Sequence, residues 1–208
     1  MSKYLVIQSS VRGADSASGQ LADRFKNQLR TIPDNEIVER DLGGNPLPVL
    51  DGALLGALFT PADGLDAEQK AQRALVTALI DELKAADTVV LSAGMYNFGA
   101  PVQLKTWFDY VLQAGRTFQY TASGPEGLMK GKRAILLVAT GGVYSEGPAA
   151  TADFMVPHLK QLLAFIGITD VTVVRAEGMA LGPDAARAGL EKALSEVGTL
   201  QENLLAYR

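Results

Sequence analysis

Apolar positions along this chain follow two spacings, and the two alternate. Residues 4–8, 36–41, 88–93, 134–140 and 170–176 form short aliphatic and β-branched runs bounded by polar or turn residues. That is the signature of strands. Between them, apolar residues recur every three or four positions. Leu21, Phe25 and Leu29 make one stripe, and Leu75, Leu79, Ile80 and Leu83 a second. A third helix is predicted through LKTWFDYVLQA, with Leu104, Phe108, Val111 and Leu112 on one side. It follows Pro101, which suits a first turn because a proline has no N–H to leave unpaired there. A fourth helix over about 152–166 contains Pro157, predicting a helix start or a kink at that point. The last spans 184–206, with Leu190, Leu194, Val197 and Leu204 facing inward.

Strands alternating with helices predict a parallel sheet covered on both faces. The expected architecture is a doubly wound α/β sheet of five strands. Two segments break the alternation. Residues 41–66 hold Pro46, Pro48, Pro61 and five glycines and are expected to leave the core. Residues 115–131 include RTFQYTASGPEG, whose alternation predicts a short hairpin. Internal repeats and an interdomain linker are both lacking, and 208 residues suit one domain over 1–208.

Charge and composition narrow the partners. Lys plus Arg number 19 against 23 Asp plus Glu, a formal charge of −4. A mildly acidic chain without a basic run has no electrostatic reason to bind a phosphate backbone, so no nucleic-acid partner is expected. There is no cysteine, which excludes disulfides, thiolate catalysis and Cys-ligated metals. No apolar run nears the roughly 20 residues needed to span a bilayer. The opening MSKYLVIQSS runs into a strand and not into an apolar leader. A cytoplasmic protein without a membrane partner is the expectation.

Candidate chemistry lies in the loops that follow strands. In open parallel sheets, ligands sit beyond the carboxyl ends of the strands, where the strand order reverses. The first such loop reads SSVRGADSASG and runs into a helix. Ser10, Ser16 and Ser18 offer hydroxyls, and the helix start offers free N–H groups with a favourable dipole. Together they form a phosphate-sized anion site. Ser16 or Ser18 is equally read as an ordinary helix cap, and the two readings are compatible. The G-x-G-x-x-G dinucleotide fingerprint is absent, and GLMKGKR at 127–133 fails as a P-loop in spacing and in its last residue. A mononucleotide such as FMN fits the hydroxyl-rich loop better.

In the order 2-1-3-4-5, the third strand lies beside the first at the reversal point. It ends in GMYNFGAP at 94–101. Met95, Tyr96 and Phe98 offer soft and aromatic contact to a flat ring, and glycines let the Asn97 and Phe98 amides approach its polar edge. Burial against a neighbouring subunit is the competing reading. The fourth strand ends in Ala139-Thr140-Gly141-Gly142, open to a ring's approach but also a common tight turn. His158, the one histidine, has no second ligand at metal spacing and reads as a surface residue, so no metal is expected. Ser145 and Glu146 lack a G-x-S-x-G context. Lys105 and Asp109 read as a solvated i,i+4 pair.

Taken together, MYNFGAPVQLKTWFDYVLQAGRTFQYTASGPEGLMKGK, LAFIGITDV and AEGMALG resemble the FMN-dependent NADH-azoreductases, within the flavodoxin-like NAD(P)H:quinone oxidoreductases. The resemblance runs from Met1 to about Gly182. It implies a flavodoxin-like fold and FMN contacts at Ser10, Ser16, Ala17, Ser18, Met95, Tyr96, Asn97, Phe98, Ala139, Thr140, Gly141 and Gly142. It also implies a homodimer with FMN at the interface, and ping-pong two-electron transfer from NADH or NADPH to a quinone or azo compound. No dedicated catalytic acid or base is then expected, since the cofactor carries the chemistry. Phe98, Phe118 and Tyr120 are the expected stacking surfaces for substrate, while Phe165 reads rather as core or interface. Two departures stand out. Gly94 replaces a usual proline, and Ala139-Thr140 replace a usual serine and polar residue, so a flavin contact is lost or moves to Thr140.

The alternative is a flavodoxin-type FMN electron carrier without its own organic substrate. The extra material at 41–66 and 115–131 argues against it, being suited to dimerisation and to roofing a pocket. A flavin-free oligomeric scaffold is a third reading, and it predicts a colourless protein.

Overall fold

The computed structural model describes residues 2–206, with side chains over 2–61 and 63–200. The chain opens with β1 (Ser2–Gln8), α1 (Ala17–Arg30) and β2 (Asn35–Asp41). Then come α2 (Gly52–Phe59), α3 (Ala67–Ala85), β3 (Thr88–Gly94) and α4 (Val102–Val111). A hairpin of β4 (Phe118–Thr121) and β5 (Gly124–Gly127) precedes β6 (Arg133–Ala139), α5 (Met155–Phe165), β7 (Asp170–Ala176) and α6 (Pro183–Ala206). The main sheet has the order β2-β1-β3-β6-β7, and every neighbouring pair in it is parallel. Leaving the hairpin aside, this is the expected order 2-1-3-4-5.

The central strands explain their own composition. Leu5, Val6 and Ile7 of β1 and Val89, Val90 and Leu91 of β3 are fully buried, because helices cover both faces. On one face, Val6, Val90 and Leu137 meet Leu21, Phe25 and Leu29 of α1 and Val197 of α6. On the other, Leu5, Leu91 and Leu136 meet Leu79, Ile80 and Leu83 of α3, Leu104 and Phe108 of α4, and Leu159 and Leu163 of α5. Trp107, absent from the expected stripe of α4, is fully buried as well. Leu190 and Leu194 are half-buried and Val197 is buried; the side chain of Leu204 lies outside the described residues.

Helix starts follow local chemistry. Ser16 caps α1, and Asp66 with Gln69 forms a capping box on α3, satisfying N–H groups that have no helical partner. Pro101 caps α4 as expected. The fourth predicted helix begins later than expected. Residues 150–152 form a 3-10 turn, and Asp153 Oδ1 accepts the Met155 and Val156 N–H groups at 3.0 Å each. Pro157 therefore sits in the first turn, where it marks a start and not a kink.

The 41–66 segment corrects an expectation. It does not leave the core: Leu42 is fully buried, Leu54 of α2 is buried in the same cluster, and Leu47, Leu50 and Leu58 pack against it. The Tyr110 hydroxyl donates to the Pro48 carbonyl at 3.0 Å, and burial, then the charge of Asp51, pushes its pKa up. Prolines and glycines shape this path, but leucines spaced through it bring it back onto α3 and α4. The 115–131 segment is a hairpin as expected, pairing Phe118 with Gly127 and Thr121 with Gly124.

Candidate functional site

The loop after β1 is built to hold its amides open. Ser16 Oγ accepts the Gly19 N–H at 3.0 Å and donates to the Gly13 carbonyl at 2.7 Å. The cap reading of Ser16 is thus correct. It leaves the Ala17 and Ser18 amides, the first two of a 14-residue helix, with no partner among the described residues. Those amides and the helix dipole favour an anion. Two glycines make the loop possible. A Cβ on Gly19 would lie 2.3 Å from the Gly13 carbonyl oxygen, and one on Gly43 would lie 2.1 Å from that of Ser10. Asp41 Oδ1 accepts the Gly43 and Gly44 N–H groups at 3.0 Å each, so the exit of β2 presses directly on the loop.

The loop after β3 is strained. Tyr96 and Gly99 exchange both backbone hydrogen bonds at 3.0 Å, enclosing Asn97 at φ 48° and Phe98 at φ 71°. Two residues at positive φ inside such a bridge make the tight hairpin turn that asparagine and glycine normally occupy. A phenylalanine there costs about 1–2 kcal/mol of backbone strain. The Asn97 and Phe98 amides make no bond to the described chain, and the Tyr96 and Phe98 rings are exposed by 43% and 49%. The Met95 amide is used internally, donating to Ala139 at 2.8 Å.

The loop after β6 is zipped to the loop after β7. The amides of Gly178, Met179 and Ala180 donate to the carbonyls of Gly142, Thr140 and Gly141 at 3.1, 3.0 and 2.9 Å. Thr140 Oγ1 donates to the Gly142 carbonyl at 2.8 Å, so its proton serves its own turn; any outward contact from this hydroxyl must be as an acceptor. The Gly141 and Gly142 amides are unbonded within the described chain. The Phe98 and Tyr144 rings meet in a T-shaped arrangement, with centroids 6.2 Å apart at 82°, linking the second loop to the third.

The three loops converge on a cavity of about 420 Å³ at the carboxyl end of the sheet. This is an ordinary size for a cofactor site. The cleft lies between β1 and β3, where the strand order reverses, as the general rule for open sheets requires. A family comparison decides what such a sheet is: the flavodoxin-like fold matches residues 2–200. The chain belongs to the flavodoxin-like family.

Within that family, two relatives named FMN-dependent NADH:quinone oxidoreductase stand out. One, from Hyphomonas neptunium, is 48% identical over 97% of this chain and 97% of its own. The other, from Dechloromonas aromatica, is 48% identical over 98% and 100%. Among solved structures, the azoreductase of Bacillus anthracis str. Sterne matches with TM-score 0.87 at 32% identity, covering 96% of this chain and 98% of that one. An FMN-dependent NADH-azoreductase from Bacillus anthracis str. Ames Ancestor, solved in complex with FMN, matches at TM-score 0.86 and 26% identity, covering 96% and 99%.

Against this flavodoxin-like frame, the expected site residues fall into three groups. Ser10, Ser16, Ala17, Ser18, Met95, Tyr96, Ala139, Thr140 and Gly141 line the cavity. Asn97, Phe98 and Gly142 stand on the same loops just outside its lining. Phe118 and Tyr120 are elsewhere, on a second cavity of about 600 Å³ beside α2, α3 and α4. Phe118 is 8% exposed and packs on Phe165 at 4.6 Å, while Tyr120 is 74% exposed. Within one chain neither reaches Phe98.

Sequence reasoning missed the far wall, formed by Met179, Ala186, Arg187 and Leu190, and also Gln20. The signal was available: the loop after the fifth strand opens at the same end of the sheet as the other three. Lys105 and Asp109 are paired as expected, and His158 is exposed. Among the described residues no cluster of three potential metal ligands occurs, and no helix is long and apolar enough to cross a membrane.

Proposed function

We propose that this protein is an FMN-dependent NADH:quinone oxidoreductase that also reduces aromatic azo compounds. The carrying observation is the convergence of three loops with unbonded amides on one cavity at the β1–β3 reversal point. The names of its relatives at 48% identity support the same reading. The residues fit the group. Hydroxyls and amides of Ser10, Ser16, Ala17 and Ser18 would hold the phosphate at the start of α1. Met95 and Tyr96 would lie against the ring, and the free amides of Asn97, Phe98, Gly141 and Gly142 would address its polar edge.

FMN, when bound, supplies the two-electron hydride chemistry. The protein therefore needs to bind, orient and shield. Its strained turn fixes the Asn97 and Phe98 amides in advance, so no reorganisation is required at the moment of reaction. This reading needs no dedicated acid or base from the chain: protons come through solvent, and Asp15, the carboxylate in the lining, stands on the loop before α1. Donor and acceptor use the same cleft in turn, a ping-pong scheme.

The active unit in this reading is a homodimer with the flavin at the interface. Leu55, Phe59 and Tyr120, exposed by 46%, 81% and 74%, line one cleft, and gathered exposed apolar side chains of this kind mark interaction surfaces. Tyr120 would then supply a stacking surface to the partner's cleft, backed by Phe118 at 5.5 Å. The test is initial-rate kinetics with NADH and a benzoquinone on FMN-loaded protein. Parallel double-reciprocal lines are expected; intersecting lines would rule out the shared cleft, and a mass of 22.0 kDa in solution would rule out the dimer.

A further inference from the structure

Glu177 follows β7 and does not line the cavity, yet three donors of the third loop end on it. The amide N–H groups of Tyr144 and Ser145 donate to Oε1 at 2.7 and 2.9 Å, and the Ser145 hydroxyl donates to Oε2. Its side chain is 14% exposed, and Arg175 Nη1 stands 3.9 Å from Oε1. That guanidinium nitrogen is buried without a hydrogen bond, while Nη2 is fixed by Asp153 at 2.8 Å. Asp153 in turn holds the first amides of α5. The backbone of Glu177 is equally confined. Gly189 of α6 approaches so closely that a Cβ there would lie 2.1 Å from the Glu177 carbonyl oxygen.

This carboxylate thus joins Arg175 of β7, and through Asp153 the start of α5, to residues 144 and 145. Charge-assisted bonds to two adjacent amides fix the direction of a loop more firmly than neutral ones. The residue so fixed is Tyr144, whose ring meets the Phe98 ring of the strained turn and packs 3.2 Å from where a Gly142 Cβ would be. Nothing else among the described contacts joins side chains of those two loops.

We propose that Glu177 is a positioning residue. By holding the Tyr144 and Ser145 amides it sets Tyr144 against Phe98, and with that the gap into which a flat acceptor slides. The proposal rests on the quinone-reductase reading of the cleft. FMN affinity should depend on it less, because the proposed phosphate end of the site lies on α1, away from this loop.

Three variants test it. Glu177→Ala removes the acceptor. Glu177→Gln keeps one oxygen for the two amides. Tyr144→Ala removes the half-exposed ring without touching the carboxylate, and so stays informative if Glu177→Ala folds poorly. Glu177→Ala and Tyr144→Ala should each raise KM for a benzoquinone by about tenfold, with the dissociation constant for FMN changed less than about twofold. Glu177→Gln should restore most of the loss, and the double variant Glu177→Ala with Tyr144→Ala should be no worse than either single one. In the apoprotein, hydrogen exchange at the Tyr144 and Ser145 amides should speed up in Glu177→Ala and not in Glu177→Gln.

An active wild-type enzyme with wild-type quinone KM in Tyr144→Ala overturns the proposal alone. So does unchanged amide exchange in Glu177→Ala, or fully additive losses in the double variant. A wild-type protein that binds FMN and NADH but reduces no quinone overturns the functional reading, and the proposal with it.

Discussion

The Ser92 hydroxyl of β3 donates to the Ser18 carbonyl of α1 at 2.8 Å, a fully internal bond between residues 74 positions apart. Ser9, the residue after β1, repeats the device, its Oγ donating to the Ser92 carbonyl at 2.8 Å. The two strands that flank the cleft are therefore bonded to each other and to the first turn of α1. Ser92→Ala should lower stability by about 1 kcal/mol, read as a shifted denaturant midpoint with an unchanged slope. It should also weaken FMN binding several-fold while leaving the absorption maximum of bound flavin in place.

Phe98 offers the opposite sign. Its φ of 71° suits glycine, and its ring is 49% exposed. Phe98→Gly should therefore raise the stability of the apoprotein by about 1 kcal/mol, while acceptor reduction falls with the loss of the ring. A thermal melt beside a quinone assay separates the two effects. A destabilised Phe98→Gly protein would mean that the turn is not strained.

Gly43 lies outside the cavity, yet it bears on it through Ser10. A Cβ at Gly43 would sit 2.1 Å from the Ser10 carbonyl oxygen and 2.8 Å from its carbon, and backbone cannot swing aside as a side chain would. Gly43→Ala should cost about 1–3 kcal/mol by overpacking, and FMN affinity should fall more than in an equally destabilised variant remote from the loop. Calorimetric titration with FMN on both proteins makes the comparison.

Lys26 carries the pH dependence. Burial works to lower its pKa, but hydrogen bonds and charge from Glu39 and Asp23 outweigh this and hold it above the usual 10.5. A raised folded-state pKa means that the native state binds the proton more tightly than the unfolded chain does. The stabilisation is therefore complete at neutral pH and is lost only as pH climbs from 10.5 through the raised value. Lys26→Met should flatten the alkaline fall in denaturant stability measured over that window.

Much of this was legible before any coordinates. The strands announced themselves because buried parallel strands tolerate only continuous apolar runs, and β7 begins and ends where the pattern did. The three loops that line the cavity were legible because hydroxyls and glycines at strand ends have few other uses. Residues 41–66 were misjudged because proline and glycine, which set local direction, were weighed above Leu42, Leu54 and Leu58, which set burial. The strain at Asn97 and Phe98 could not be seen, since nothing in the letters NF marks a turn normally made with glycine. Nor could Glu177, a carboxylate whose importance lies wholly in which distant amides it meets. The separation of Phe118 and Tyr120 from the cavity is a matter of topology: the hairpin folds beside α5, which a motif cannot report.

The central claim is that one cleft binds FMN and lets NADH reduce it by two electrons. A visible absorption spectrum of the purified protein, before and after anaerobic addition of NADH, tests it most directly. The account predicts a flavin spectrum, native or after adding FMN, that bleaches with NADH and shows no long-wavelength band of one-electron-reduced flavin. A colourless protein that takes up no FMN would contradict it, and would return the loop of Met95, Tyr96, Asn97 and Phe98 to a purely structural role.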